Sequence, residues 1–180
     1  MLKHGLISEE GHWAELMTFD MDHPDYGKLQ QLVGESVQIK ERIVAQDPFE
    51  QGIRKALNLG HTIGHAFESF ALEREAPVLH GYAVAWGMVC ELYLAHQKTG
   101  FPTDKMRQTV QFIKENYGKL AFNCRDYDRL YEFMKHDKKN AAAGMINFTL
   151  LGGIGDIRIN QTATKEEINE ALDFYCETMG

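Results

Sequence analysis

His61 and His65 stand four residues apart, the spacing at which two imidazoles on one helix face can reach a single metal ion. The HExxH motif of zinc proteases uses that spacing, but here Thr62 occupies the position of its glutamate. At about 100° of rotation per helical residue, Arg54, Asn58, His61 and His65 fall within one stripe about 60° wide. A guanidinium, an amide and two imidazoles in line suit a small anionic ligand beside a metal, where a solvated face would carry lysine and glutamate in looser order. Gly60 and Gly64 each cost a helix about 1 kcal/mol relative to alanine. Two such residues beside the stripe predict another backbone, or a ligand, at close range.

Other candidates are more ambiguous. His80-Gly81 opens an apolar segment after Pro77, and its imidazole is either a structural histidine or a third ligand supplied by a separate element. Lys40 shares a helical face with Leu29, Val33, Ser36 and Ile43. It either snorkels to the surface or directs its ammonium into a polar cleft. Asp137-Lys138-Lys139-Asn140 is a short basic turn, readable as a solvated loop or as a clamp for phosphate or carboxylate. His4, His12, His23, His96 and His136 have no comparable setting.

The elements that must position these groups are mostly helical. Ser8 is expected to cap a short helix bearing Trp13, Leu16 and Met17, which His23-Pro24-Asp25 breaks. Helical spacing of apolar residues runs from about Tyr26 to Val44, and Asp47-Pro48-Phe49-Glu50 is a turn or helix start. One helix is expected over Gly52 to Leu72. The stretch from Ala83 to Ala95 is apolar almost all round, as in a helix buried at the centre of a bundle, and small residues at Gly81, Ala83, Ala85 and Gly87 admit a neighbouring backbone. Further helices are predicted near Asp104 to Tyr117 and Tyr127 to Met134. Ile146 to Leu151 and Ile157 to Ile159 read as the strands of a hairpin, and Thr164-x-x-Glu167 is a capping box for a last helix reaching about Tyr175.

Composition narrows the function classes. The chain has 180 residues, 19 Lys plus Arg and 26 Asp plus Glu, for a net charge of −7, which argues against a nucleic-acid or anionic-membrane partner. No apolar run approaches the roughly 20 residues of a membrane span, and residues 1–5 lack an apolar signal core. Cys90, Cys124 and Cys176 are odd in number and widely spaced, so neither a disulfide framework nor a cysteine zinc site is indicated, and a reducing, cytoplasmic compartment is the simplest reading.

Taken together, these segments resemble the 3-dehydroquinate synthase family. Residues 54–68, Arg54 through Glu68, follow the family pattern R-x-x-L-N-x-G-H-T-x-G-H-A-x-E throughout. Lys3-His4-Gly5-Leu6-Ile7, the segment from His80 to Met88, Asp137-Lys138-Lys139 and the region from Leu150 to Gly155 are similar to further family segments in the right order. The resemblance implies a mainly α, multi-helix metal-binding domain, of the fold shared with iron-type alcohol dehydrogenases, with a small β-hairpin near the C-terminus. It implies conversion of 3-deoxy-D-arabino-heptulosonate 7-phosphate to 3-dehydroquinate and phosphate, by oxidation, elimination, reduction and ring closure with NAD and zinc or cobalt. It assigns His61 and His80 as metal ligands, and Lys3, Lys40, Arg54 and Asn58 to the carboxylate and hydroxyls of the phosphorylated sugar acid. His65 and Lys138 or Lys139 would lie near its phosphate, so His61 and His65 would not share one ion.

The resemblance also implies that residues 1–180 form the carboxy-terminal half of a homodimeric enzyme, inactive without an amino-terminal NAD-binding domain. The family's third metal ligand, a glutamate three residues before the lysine matched by Lys3, would precede Met1, and no dinucleotide-binding glycine motif occurs here. Tyr82 replaces a glutamate common in the family, next to His80. The competing readings are 2-deoxy-scyllo-inosose synthase, whose substrate lacks the carboxylate that Arg54 suits, an iron-type polyol dehydrogenase, which has no need of the anion-binding set, and a non-catalytic helical interaction module.

Overall fold

Local sequence signals decide where each element begins and stops. The computed structural model describes residues 1–137 and 144–180, so Lys138 and Lys139 lie outside the described residues. In chain order the helices are α1 (Leu2–Ile7), α2 (Glu10–Met17), α3 (Tyr26–Gln46), α4 (His61–Glu73), α5 (His80–Thr99), α6 (Thr103–Tyr117), α7 (Tyr127–Asp137) and α8 (Lys165–Met179). Short 3-10 turns cover Ile53–Asn58 and Cys124–Asp126, and β1 (Met145–Gly153) pairs antiparallel with β2 (Asp156–Thr164). Asp25 starts α3 by accepting from the amides of Gly27 and Lys28, and Gly100, at φ 75°, stops α5. Both halves of the Thr164–Glu167 capping box form at the start of α8. Among the described residues, no helix is long and apolar enough to cross a membrane.

The apolar run in α5 becomes the axis of the domain. Residues Ala83 to Leu92 are buried without a break, as are Leu94 and Ala95, and α4, α6, α8 and β1 pack around them. The hairpin braces one end. Gly155, at its tip, donates its N–H to the Leu6 carbonyl at 2.9 Å, and Thr149 donates its hydroxyl to the Lys55 carbonyl at 2.9 Å. Those two bonds tie α1 and the first 3-10 turn, which flank the candidate residues, to the same support.

Several expectations need correction. Ser8 does not cap α2; it closes α1, and Glu9 precedes α2 without a side-chain cap. The helix expected over Gly52 to Leu72 is broken: the 3-10 turn ends at Asn58, Leu59 is extended, and Gly60 turns the chain at φ +78° before α4 begins at His61. The stripe joining Arg54 and Asn58 to the histidines therefore does not exist as a single helical face. On α3 the buried face is Leu32, Ser36, Ile39 and Ile43, while Val33 and Val37 are exposed, so Lys40 sits at the rim and not among core positions. The second strand extends beyond Ile159 to Thr164 because pairing with β1 continues through polar residues on its outer side. The last helix runs one turn past Tyr175.

The glycines of α4 and α5 are where the two helices touch. A Cβ on Gly87 would lie 2.3 Å from the Gly60 carbonyl oxygen and 2.5 Å from the Gly64 nitrogen, both backbone atoms that cannot swing aside. On Gly81 it would meet nothing within 4 Å. Gly87→Ala should therefore cost about 3 kcal/mol of unfolding free energy by overpacking, whereas Gly81→Ala should be neutral or gain less than about 1 kcal/mol. Urea unfolding of the two variants checks the contrast, and equal effects would refute the close-crossing account.

Candidate metal and anion site

Three imidazoles meet where α4 and α5 run antiparallel. The His61 ring lies 5.3 Å from His65 and 5.3 Å from His80, and His65 lies 5.6 Å from His80, between ring centroids. One ligand nitrogen from each falls within 4.8 Å of the others. Tetrahedral coordination at about 2.1 Å places ligand nitrogens about 3.4 Å apart, so modest ring rotations would close the set.

Two of the rings are already oriented for a metal. His61 Nδ1–H donates to the Leu59 carbonyl at 3.1 Å, and His80 Nδ1–H donates to the Glu68 carboxylate at 3.0 Å. Each bond engages Nδ1 and leaves Nε2 as the ligand atom, the arrangement usual for metal-binding histidines. Burial, reinforced by the Lys3 charge, lowers the His61 pKa to about 4. Its imidazole is therefore neutral at pH 7, the form a metal requires. The donor set thus fits a zinc- or cobalt-type ion.

Cationic groups share the cleft. Lys3, Lys40, His61 and His80 line one depression of about 410 Å³, together with His4 and Tyr117. α1 presents Lys3, whose ammonium donates to the Leu57 carbonyl at 2.7 Å. Burial pushes the Lys3 pKa down to about 8, the Lys40 charge adds to the effect, and Glu91 partly offsets it. Lys40 reaches the rim from α3. A larger groove of about 870 Å³ between α2, α5, α6 and α8 has mainly apolar walls, including Met17, Tyr93, Met106 and Phe174, and none of the three clustered histidines. His61, His80, Lys3 and Lys40 thus gather in the smaller cleft.

Other sequence candidates are elsewhere. Arg54 donates to the Pro48 carbonyl at 2.7 Å, and Asn58 donates to the Glu50 carboxylate at 2.8 Å, so both side chains engage the 47–51 turn. Tyr82 does not bond to His80 but packs edge-on against Trp86 and Tyr117, forming an aromatic wall beside the cleft.

Three residues escaped the sequence reading. His4, dismissed for lack of a setting, lines the cleft, with Nδ1 2.5 Å from the Ser36 hydroxyl. Glu68 orients His80, a role visible only once α4 and α5 are seen to run antiparallel. Glu91 is fully buried in α5 and accepts from the Gly60 and Ile63 amides at 2.6 and 3.1 Å. The signal for it was present, since it is the single charged residue between Ala83 and Ala95.

Residues 1–140 match the family described as "3-dehydroquinate synthase C-terminal". A 3-dehydroquinate synthase of Parabacteroides distasonis is 60% identical over 180 residues, covering all of this chain and 51% of that protein. One from Leptospira interrogans is 38% identical over 167 residues, 89% of this chain and 45% of that protein. The chain thus spans about half the length of the curated relatives it matches. Among solved structures, 2-deoxy-scyllo-inosose synthase complexed with carbaglucose-6-phosphate, NAD+ and Co2+ superposes with a TM-score of 0.75 at 21% identity, over 95% of this chain and 48% of that one. A 2-epi-5-epi-valiolone synthase from Streptomyces hygroscopicus, with NAD+ and Zn2+ bound, gives 0.73 at 20% identity, over 98% and 49%. At those identities the likeness shows a common fold. The family match, and the motif it shares with residues 54–68, place this chain in the 3-dehydroquinate synthase family, in its carboxy-terminal part.

Proposed function

We propose that the chain is the metal- and substrate-holding domain of a 3-dehydroquinate synthase, acting on 3-deoxy-D-arabino-heptulosonate 7-phosphate. The observation that carries this reading is a cluster of three imidazoles, two of which, His61 and His80, line one cleft with Lys3 and Lys40. His61 and His80 would hold a zinc or cobalt ion through Nε2, and a bound ion of this kind supplies Lewis-acid polarisation of the hydroxyl to be oxidised. The remainder of an enzyme of the relatives' length would supply the NAD site, a further ligand and the surfaces of a homodimer. The three free cysteines suit a reducing, cytoplasmic setting.

Within this chain, charge does the binding. Lys3 and Lys40 would attract the substrate's carboxylate, and Lys3 is fixed in place by the Leu57 carbonyl. Arg54 and Asn58 follow in the adjoining 3-10 turn. Their bonds to Pro48 and Glu50 lie at the surface, where an incoming carboxylate or hydroxyl can replace them. His65, in contact with both other rings, would face the phosphate with Lys138 or Lys139. Arg54 favours a carboxylate-bearing substrate over that of an inosose synthase.

Two measurements test this. Joined to the amino-terminal half of the Parabacteroides distasonis relative and supplied with NAD and zinc, the chain should release phosphate from the heptulosonate phosphate and form 3-dehydroquinate, and His61→Ala should abolish turnover. A folded, zinc-loaded, NAD-binding fusion that leaves this substrate untouched would sink the assignment and direct attention to the inosose synthase substrate.

Lys3 offers a second check. Its charge should be present below pH about 8 and lost above it. Competitive acylation followed by mass spectrometry should give Lys3 a labelling midpoint near pH 8, well below that of surface lysines, and Lys40→Ala should shift it upward by removing a neighbouring positive charge. A Lys3 midpoint indistinguishable from surface lysines would show that the ammonium is not desolvated in the cleft.

A further inference from the structure

Glu91 is a costly residue to place where it is. It sits in an otherwise apolar stretch of α5, fully buried, and an ionised carboxylate there needs strong partners. It has two in the Gly60 and Ile63 amides, at 2.6 and 3.1 Å. These belong to the first turn of α4, whose N–H groups find no carbonyl within the helix, and the positive end of the helix dipole favours a negative charge at that point. A serine, threonine or aspartate at the N-cap usually serves this purpose locally. In α4 the N-cap is Gly60, which has no side chain and must stay small because Val84 and Met88 crowd it. The cap has to come from another element, and it comes from the helix that carries His80.

The consequence is geometric. His61 immediately follows Gly60, and its ring is oriented by Leu59, so the placement of the His61 ring depends on how the 59–61 turn is held. At the other end of the antiparallel pair, the Glu68–His80 bond joins the two helices again. Between the two ties, Gly87 lies directly on the backbone of Gly60 and Gly64. Sliding or tilting of α4 against α5 is thus opposed at both ends by a carboxylate and in the middle by backbone contact.

We propose that Glu91 is a positioning residue of the metal centre: by capping α4 from within α5, it fixes the His61 imidazole relative to that of His80. This rests on the metal-binding reading of the cleft. It gives Glu91 no contact with metal or substrate, only control over the distance between two ligands.

Glu91→Gln in the 180-residue chain tests it. Glutamine keeps the size and one acceptor oxygen but turns an NH2 group toward the second amide. Amide exchange followed by mass spectrometry should be at least tenfold faster in the segment holding Gly60 and Ile63, and unchanged in α6 and α8. Titration with cobalt(II) should show affinity weaker by about tenfold, the scale of outer-shell losses, with an altered visible absorption band. Ile168→Val, which trims a buried methyl in α8, an element that contributes nothing to the cleft, controls for lost stability. Parental exchange in Glu91→Gln, parental cobalt affinity and spectrum, or both changes reproduced by Ile168→Val would each overturn the proposal. Cobalt binding that is unaffected by His61→Ala would instead overturn the metal reading and the positioning role with it, and the exchange measurement would still decide whether Glu91 caps α4.

Discussion

Backbone contact between α4 and α5 is the constraint on which the rest of the site depends. With no side chain at Gly60, Gly64 or Gly87, the two helices approach until a carbonyl oxygen and an amide nitrogen of one face the Cα of the other. That closeness brings His80 of one helix within ring contact of His61 and His65 of the other. Any larger residue at the crossing would part the imidazoles before it touched them. The cost is paid twice over in helix propensity, at about 1 kcal/mol per glycine, and the burial of α5 offsets it.

The sequence disclosed the fold better than it disclosed the site. Helical periodicity located α3, α6 and α7 to within a few residues, and the capping box placed the start of α8. The all-round apolarity of Ala83 to Ala95 identified the central helix because a segment with no polar face has nowhere to go but the interior. The glycines beside the histidines signal a close neighbour, and α5 supplies it. The failure at Leu59-Gly60 has a definite cause. Helical spacing runs on through Gly60 in the sequence, yet its φ of +78° is open to glycine and leaves the α-helix there. Arg54 and Asn58, on the far side of that break, therefore do not share a helical face with His61 and His65.

Residues acting across elements were the least legible. Glu91 and Glu68 act on groups 31 and 12 residues away in the chain, and nothing in local periodicity says which carboxylate meets which backbone. His4 shows the same limit. Its neighbours in sequence are ordinary, and its setting in the cleft follows only from the packing of α1 on α3, where Ser36 meets it. Resemblance to a family supplied roles for Lys3 and Lys40 that their own spacing left open, and the fold adds the reason they are near each other: α1 and α3 both border the first 3-10 turn.

Electrostatics would also link metal binding and anion binding in the cleft. The His61 imidazole is kept neutral by burial and by the Lys3 charge, which suits a metal cation. A divalent ion beside Lys3 and Lys40, however, adds positive charge to a place that already holds two ammoniums. Glu68 and Glu91 balance part of it, and both are already engaged, one with His80 and one with the α4 amides. The remaining positive charge is best matched by a ligand that is itself an anion. A carboxylate or phosphate in the cleft would lower the cost of holding a metal, and a metal would in turn strengthen attraction for the anion, because a coupling between two binding events acts equally in both directions. The lysines that would oppose a metal ion bound alone are thus the groups that would make its binding depend on an anion.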